Sequence, residues 1–329
     1  MKLPLSIAVG NYDRVRPLVD AVVQIDGVAP VFMNLGPEEI FFRAFRGAQF
    51  DVCELSLSSF AVKTATGGNP YVGVPVFPSR MFRHGAFYIR KDSGIRSPAD
   101  LKGRRIGMPE YQLTACVWCR IILEEDHGIK PQDIRWVRGG IEQAGRVEKI
   151  ALNLPKDVIL EDIPPERTLS DMLDAGEIDG VIGPRAPLGF ERGDPRIGWL
   201  FPDPRAAAKE FYGRWNIFPI MHVLGVRRTL VEQHPWLPVA LLKAFTAAKD
   251  LAIDALGITA ALQVSLPFAV EAAHEAHTLM GKDFWSYGLQ PNRHVLDTFL
   301  RHHYAQGLSA RRLLPEELFH PTTLESFKI

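Results

Sequence analysis

Short apolar runs alternate with longer amphipathic stretches along most of the chain. Residues 3–9 read as a first strand and 14–24 as a helix, with Pro17 tolerated in its first turn. A strand over 30–35, a helix over 37–47, a short buried strand over 51–55 and a helix over 56–66 follow. Further strands are predicted at 71–77 and 86–90. Ser97 before Pro98 is a helix N-cap with proline at the first helical position. After Gly103 a second series begins. It holds a strand at 104–108, an apolar helix ending at a Gly128 cap, a strand at 134–138, a helix at 168–174 and a strand at 180–182. An amphipathic piece lies near 206–212, a strand at 221–226, and helices at 237–256, 266–280 and 292–306. Residues 179–204 are loop-rich, and Pro315 and Pro321 mark an irregular tail. This alternation predicts an α/β fold of mostly parallel sheets flanked by helices.

At 329 residues the chain is long enough for one large or two ordinary domains. Lysine plus arginine equals aspartate plus glutamate at 38 each, which argues against a nucleic-acid or membrane-surface partner reached by bulk charge. The start, MKLPLSIAVGNYDR, is interrupted by Pro4 and Ser6 and turns polar at Asn11. It reads as a strand rather than an export signal, so the expected compartment is the cytoplasm. Cys53, Cys116 and Cys119 sit among apolar neighbours. The C-x-x-C of the last two falls inside the long helix, so all three read as reduced core residues.

The turn Glu110–Thr114 before that helix presents free N–H groups, a seat for an anion such as a carboxylate. Other polar residues end predicted strands: Arg14, Ser56 with Ser58 and Ser59, Arg80, Arg83 and His84, Arg138, Arg185, and His222. Ordinary alternatives stand beside each. Ser56 can cap a helix, the arginines can make surface ion pairs, and His222 can be a core histidine. Glu54 lies in the apolar DVCELS, so it needs a partner, either a structural ion pair or an acid–base group. His274, His277, His302 and His303 lack zinc-peptidase spacing and read as solvated. No dinucleotide, Walker A or serine-elbow motif is present.

The segment DLKGRRIGMPE at 100–110 resembles the start of the second domain in type II periplasmic solute-binding proteins. FDVCELSLSSF at 50–60, VPVFPSRMFRHGAFYIR at 74–90, PEYQLTACVW at 109–118 and FPIMHVLGVRR at 218–228 are together similar to one cytoplasmic enzyme branch, the 4,5-dihydroxyphthalate decarboxylases. That resemblance implies a two-domain fold with domain one at 1–100 plus 218–329, domain two at 101–217, and a ligand cleft between them. It also implies a phthalate-catabolic carboxy-lyase turning 4,5-dihydroxyphthalate into protocatechuate and CO2, with a small aromatic carboxylate as its partner and no organic cofactor. A divalent metal and a homo-oligomer are left open; Asp13, Glu54, His84 and His222 could hold a metal together, but no spacing demands one. Under this reading Arg14, Ser56, Arg80, Arg138, Arg185 and the turn residues Tyr111, Gln112 and Thr114 bind substrate. His84 or His222 does the acid–base work with Glu54 orienting. The rival readings are a non-catalytic aromatic-acid binding protein, or another enzyme on the same scaffold. Examples of the latter are the menaquinone-pathway enzymes and the thiamine pyrimidine synthases, whose cysteine-rich motif is missing here.

Overall fold

The computed structural model describes residues 2–325. In chain order the strands are β1 (Leu3–Val9), β2 (Val28–Asn34), β3 (Val52–Ser56), β4 (Tyr71–Val74), β5 (Phe87–Arg90), β6 (Arg105–Met108), β7 (Arg135–Arg138), β8 (Ile159–Asp162), β9 (Gly180–Ile182), β10 (Ile197–Trp199) and β11 (His222–Arg227). The helices are α1 (Arg16–Val19), α2 (Pro37–Gly47), α3 (Leu57–Ala65), α4 (Thr114–His127), α5 (Leu169–Ala175), α6 (Leu188–Glu191), α7 (Pro204–Trp215), α8 (Arg228–Gln233), α9 (Leu237–Leu256), α10 (Ala269–Met280) and α11 (Arg293–Ala305). They fall into two units. The first takes the residues up to Arg80, Ile220–Asp297 and those from Leu313 onward; the second takes Met81–Pro219 and Thr298–Arg312.

In the first unit the sheet order is β2-β1-β3-β11-β4. β1 runs parallel to β2 and β3, and β11 lies antiparallel between β3 and β4. β3 is buried at every position, as expected of a strand covered on both faces, yet it carries Glu54. β4 bridges to Phe319 through Gly73, where a Cβ would lie 2.4 Å from the Leu318 carbonyl oxygen. The predicted helix over 14–24 is a single turn, α1. Ala21 takes a φ of 58° and Val22 stays exposed, so no apolar face holds a second turn.

The second unit has the order β10-β5-β9-β6-β7-β8. β9, β6, β7 and β8 are parallel, and β5 and β10 extend the sheet antiparallel. The pairing of β5 with β9 explains why 81–100 belong here rather than with the first unit. Residues 298–312 join it through Phe299 on Trp118 and His302 on Glu125. Helix α4 is buried around its whole circumference from Thr114 to Leu123 and closes at Gly128 with φ 64°. Cys116 and Cys119 are buried in it as free thiols, and Cys53 is equally buried in β3. Asp100 Oδ2 accepts from the Ser97 N–H and Oγ, which closes the expected cap.

Over both sheets parallel pairings outnumber antiparallel ones five to four. His302 and His303 correct an expectation. Both are buried, His302 between Glu124 and Glu125 and His303 against Ser309, whereas His274 is exposed as expected. Among the described residues no helix is long and apolar enough to cross a membrane.

Candidate active site

Parallel β1 and β3 end at the same edge of the first sheet, and antiparallel β11 begins there. His222 is paired with Ser56 in the register, so its side chain shares a face with Ser56 and Glu54. Glu54 and His222 are diagonal neighbours. Glu54 Oε1 meets His222 Nδ1 at 2.5 Å and also accepts from the Tyr12 hydroxyl at 2.7 Å; Oε2 accepts from the Gly10 N–H at 2.9 Å. The Tyr12 ring reaches this position by folding over Gly10, where a Cβ would lie 2.5 Å from the ring.

These donors decide the protonation state. Burial by itself raises the carboxyl of Glu54, but His222, the Gly10 N–H and the Tyr12 hydroxyl outweigh it and hold the group below the usual carboxylate range. Tyr12 moves the opposite way: burial and the Glu54 charge push its hydroxyl up, so it stays a donor. An ionised carboxylate only accepts, so His222 carries a proton on Nδ1, and its Nε2 lies on the ring edge away from Glu54. Phe41 on α2 holds the imidazole edge-on at 4.9 Å. The histidine keeps 17 % of its side chain exposed, against none for Glu54.

Arg14 stands beside this group. Its guanidinium is stacked between the rings of Tyr12 at 4.3 Å and Trp285 at 4.2 Å, with Nε on the Pro78 carbonyl and Nη1 on Asp13. That leaves Nη2 without a partner among the described residues. Arg80 is spent differently. It is buried, lies over Phe77, and donates to the Ser286 carbonyl and the Asn292 side chain, so it anchors the loop that supplies Trp285 and Tyr287. The Tyr287 hydroxyl is buried without a hydrogen-bond partner among the described residues. Ser56 occupies the N-cap position of α3 but makes no side-chain cap.

The remaining candidates belong to the second unit. His84 is 1 % exposed, packed against Phe201 and Phe211 at 5.3 Å each, and neither ring nitrogen has a hydrogen-bond partner among the described residues. Burial lowers its pKa to about 4, which keeps it neutral. The turn 110–114 does hold an anion, but it is the chain's own: Glu148 accepts from the Tyr111 N–H at 3.0 Å and the Gln112 N–H at 2.8 Å. Thr114 is buried at the first position of α4. Arg138 grips Asp162 through Nε at 2.6 Å and Nη2 at 2.8 Å, with Nη1 on Glu148 at 3.1 Å. Arg185 is exposed in the loop after β9. Sequence reasoning missed Gly10, Tyr12, Trp285 and Tyr287. The Gly-Asn-Tyr-Asp-Arg loop after the first strand carried a signal for the first two; the others sit in an aromatic loop with no motif.

Between residues 82 and 148 the chain matches the family model described as NMT1/THI5 like. It is 63 % identical over 328 residues to a 4,5-dihydroxyphthalate decarboxylase of Comamonas testosteroni, covering 100 % of this chain and 99 % of the relative. It is 65 % identical over 211 residues to a protein of the same name from Pseudomonas putida, covering 64 % of this chain and 82 % of that one. Among solved structures it is similar to a periplasmic sulfonate-binding protein of Methylobacillus flagellatus KT, with a TM-score of 0.57, 12 % identity, and 98 % and 93 % of the two chains covered. The aliphatic sulphonate binding protein SsuA of Escherichia coli gives a TM-score of 0.53 at 12 % identity over 98 % of this chain and 99 % of that one. At these identities the structural likeness is one of fold.

Proposed function

The chain belongs to the 4,5-dihydroxyphthalate decarboxylase family, and on that premise we propose how its residues share the work. The protein is a carboxy-lyase that removes one carboxylate of 4,5-dihydroxyphthalate as CO2 in phthalate breakdown, leaving protocatechuate. The hydroxyl para to the departing carboxylate gives up its proton while the ring carbon bearing that carboxylate gains one. The resulting dienone is an electron sink. The C–C bond breaks, its electron pair restores the aromatic ring, and the phenolate takes a proton back. One proton is consumed per turnover.

His222 Nε2 first takes up from solvent the one proton each turnover consumes and then delivers it to carbon, while Glu54, on Nδ1, orients the ring and balances the charge of the doubly protonated imidazole. Arg14 binds a substrate carboxylate through Nη2, held rigid by its two aromatic neighbours. The observation that carries these roles is the 2.5 Å contact between His222 Nδ1 and a wholly buried Glu54, while His222 keeps part of its side chain exposed. His84 takes no part, since it is enclosed and held neutral. Three buried free cysteines support a reducing compartment, the cytoplasm.

The test is CO2 release on mixing with 4,5-dihydroxyphthalate. His222→Asn is expected to lower kcat by about 10²–10⁴-fold, the range of a positioned acid–base group. His84→Leu is expected to keep turnover within a few-fold. A His222→Asn protein with wild-type turnover would overturn the assignment. Binding without CO2 release would return the chain to the class of binding proteins.

A further inference from the structure

We infer that the N–H groups of Tyr111 and Gln112, together with Arg138, form a seat for an aryl carboxylate that Glu148 occupies in its absence, so that such a ligand binds by displacing Glu148. The inference rests on the function above only for the class of ligand.

Glu148 has the geometry of a bound carboxylate rather than of a surface ion pair. Its two oxygens take one N–H each from Tyr111 and Gln112, at 3.0 and 2.8 Å, and Arg138 Nη1 adds a third donor at 3.1 Å. The N–H pair stands just before α4, a helix of 14 residues, where partial positive charge gathers. Arg138 would stay aimed if Glu148 left, because Asp162 holds its Nε and Nη2. Three consecutive side chains here are buried with polar atoms that no described residue satisfies: Glu110 Oε2, the Tyr111 hydroxyl, and both atoms of the Gln112 carboxamide. Buried polar groups are normally partnered, so these atoms are left in need of polar partners beside the seat's N–H pair.

The segment carrying Glu148 is suited to exchange. Residues 139–158 contain no strand or helix, and side-chain ties hold them down: Arg146 and Lys149 to Glu110, and Glu142 to Ser170 and the Leu188 N–H. Beside Glu148 lies an open cavity of about 640 Å³, lined by Arg138 and by Val147, Leu152, Leu154 and Leu160. Most of its exposed lining is polar, with Lys156 adding a second cation to Arg138, and its size is that of small-molecule sites. Burial and the neighbouring Glu110 push the Glu148 carboxyl above its ordinary range.

Phthalate, which lacks the hydroxyls the reaction needs, is the probe. Glu148→Ala is expected to bind it about tenfold more tightly, because an internal competitor has been removed. In the wild-type protein, saturation with phthalate is expected to raise hydrogen exchange across 141–157 while the amides of 111 and 112 stay protected. Unchanged or weaker phthalate binding by a Glu148→Ala protein that melts like wild type overturns the inference. So does exchange across 141–157 that is unchanged or slower with ligand. If Glu148→Ala fails to fold, the wild-type exchange measurement decides alone. If wild type releases no CO2 from 4,5-dihydroxyphthalate, the catalytic reading fails, and the phthalate experiments still decide this one.

Discussion

A carboxylate as enclosed as Glu54 stays ionised only because three donors meet it, two from the loop after β1, Gly10 and Tyr12, and one from the start of β11, His222. Its lowered pKa means that the stability it contributes is present above the ordinary carboxylate range, near 4.3, and is lost as pH falls below it. Glu54→Gln keeps the shape but removes the charge that orients His222; kcat is expected to fall by about 10²-fold with little change in KM. Glu54→Leu leaves the three donors unpaired, and denaturant unfolding should show a loss of about 3 kcal/mol. His84 loses stability in the same direction for the opposite reason, since here the fold favours the neutral form. Its imidazole is held near 4 when folded but titrates near 6.5 in the unfolded chain, so between these values the unfolded state binds more protons. Stability is therefore full above about pH 6.5 and falls by about 3 kcal/mol as pH drops toward 4. His84→Leu should remove that slope, measured as the difference between the two proteins' unfolding curves across the window.

At the scale of elements, two glycines show what local sequence must supply. Gly128 ends α4 in the left-handed region at φ 64°, so Gly128→Ala is expected to cost about 1 kcal/mol in a thermal melt. Gly73 lets β4 approach the Leu318 carbonyl, where a Cβ would lie at 2.4 Å from backbone that cannot swing away. Gly73→Ala should cost more than Gly128→Ala, about 3 kcal/mol. Most elements were legible because their period or caps are local: α2 and α9 match the expected 37–47 and 237–256 at both ends. β8 was not, and its absence distorted the reading of Arg138. The parallel register sets Arg138 opposite Asp162, so the arginine expected to await a ligand already has a bidentate partner. The turn before α4 looks open in the sequence for the same reason, since its anion arrives from 36 residues further on.

Each unit is assembled from distant segments of chain. The residues from Leu313 return to the first unit and bury Leu313, Leu318 and Phe319 there. Each such side chain is worth about 1.5–3 kcal/mol. A chain ending at Arg312 is therefore expected to lose several kcal/mol from that unit, seen as an early phase in denaturant unfolding. A coincident single transition at the wild-type midpoint would contradict this. The same logic explains His302 and His303. Lacking metal-ligand spacing, both are expected in solvent, but His303 continues the stripe of Phe299 and Leu300 into the core of the second unit, and His302 meets two glutamates of α4.

Hydrophobic period, caps and turn chemistry act over a few residues, and so the sequence alone determined the α/β class, most element positions, the buried cysteines and the need of Glu54 for a partner. Family motifs added the reaction. Pairing between remote segments follows from register and packing, which no local pattern encodes. Only the tertiary structure decided that His222 answers Glu54, that His84 is shut away among aromatic rings, and that Glu148 fills the anion seat before α4.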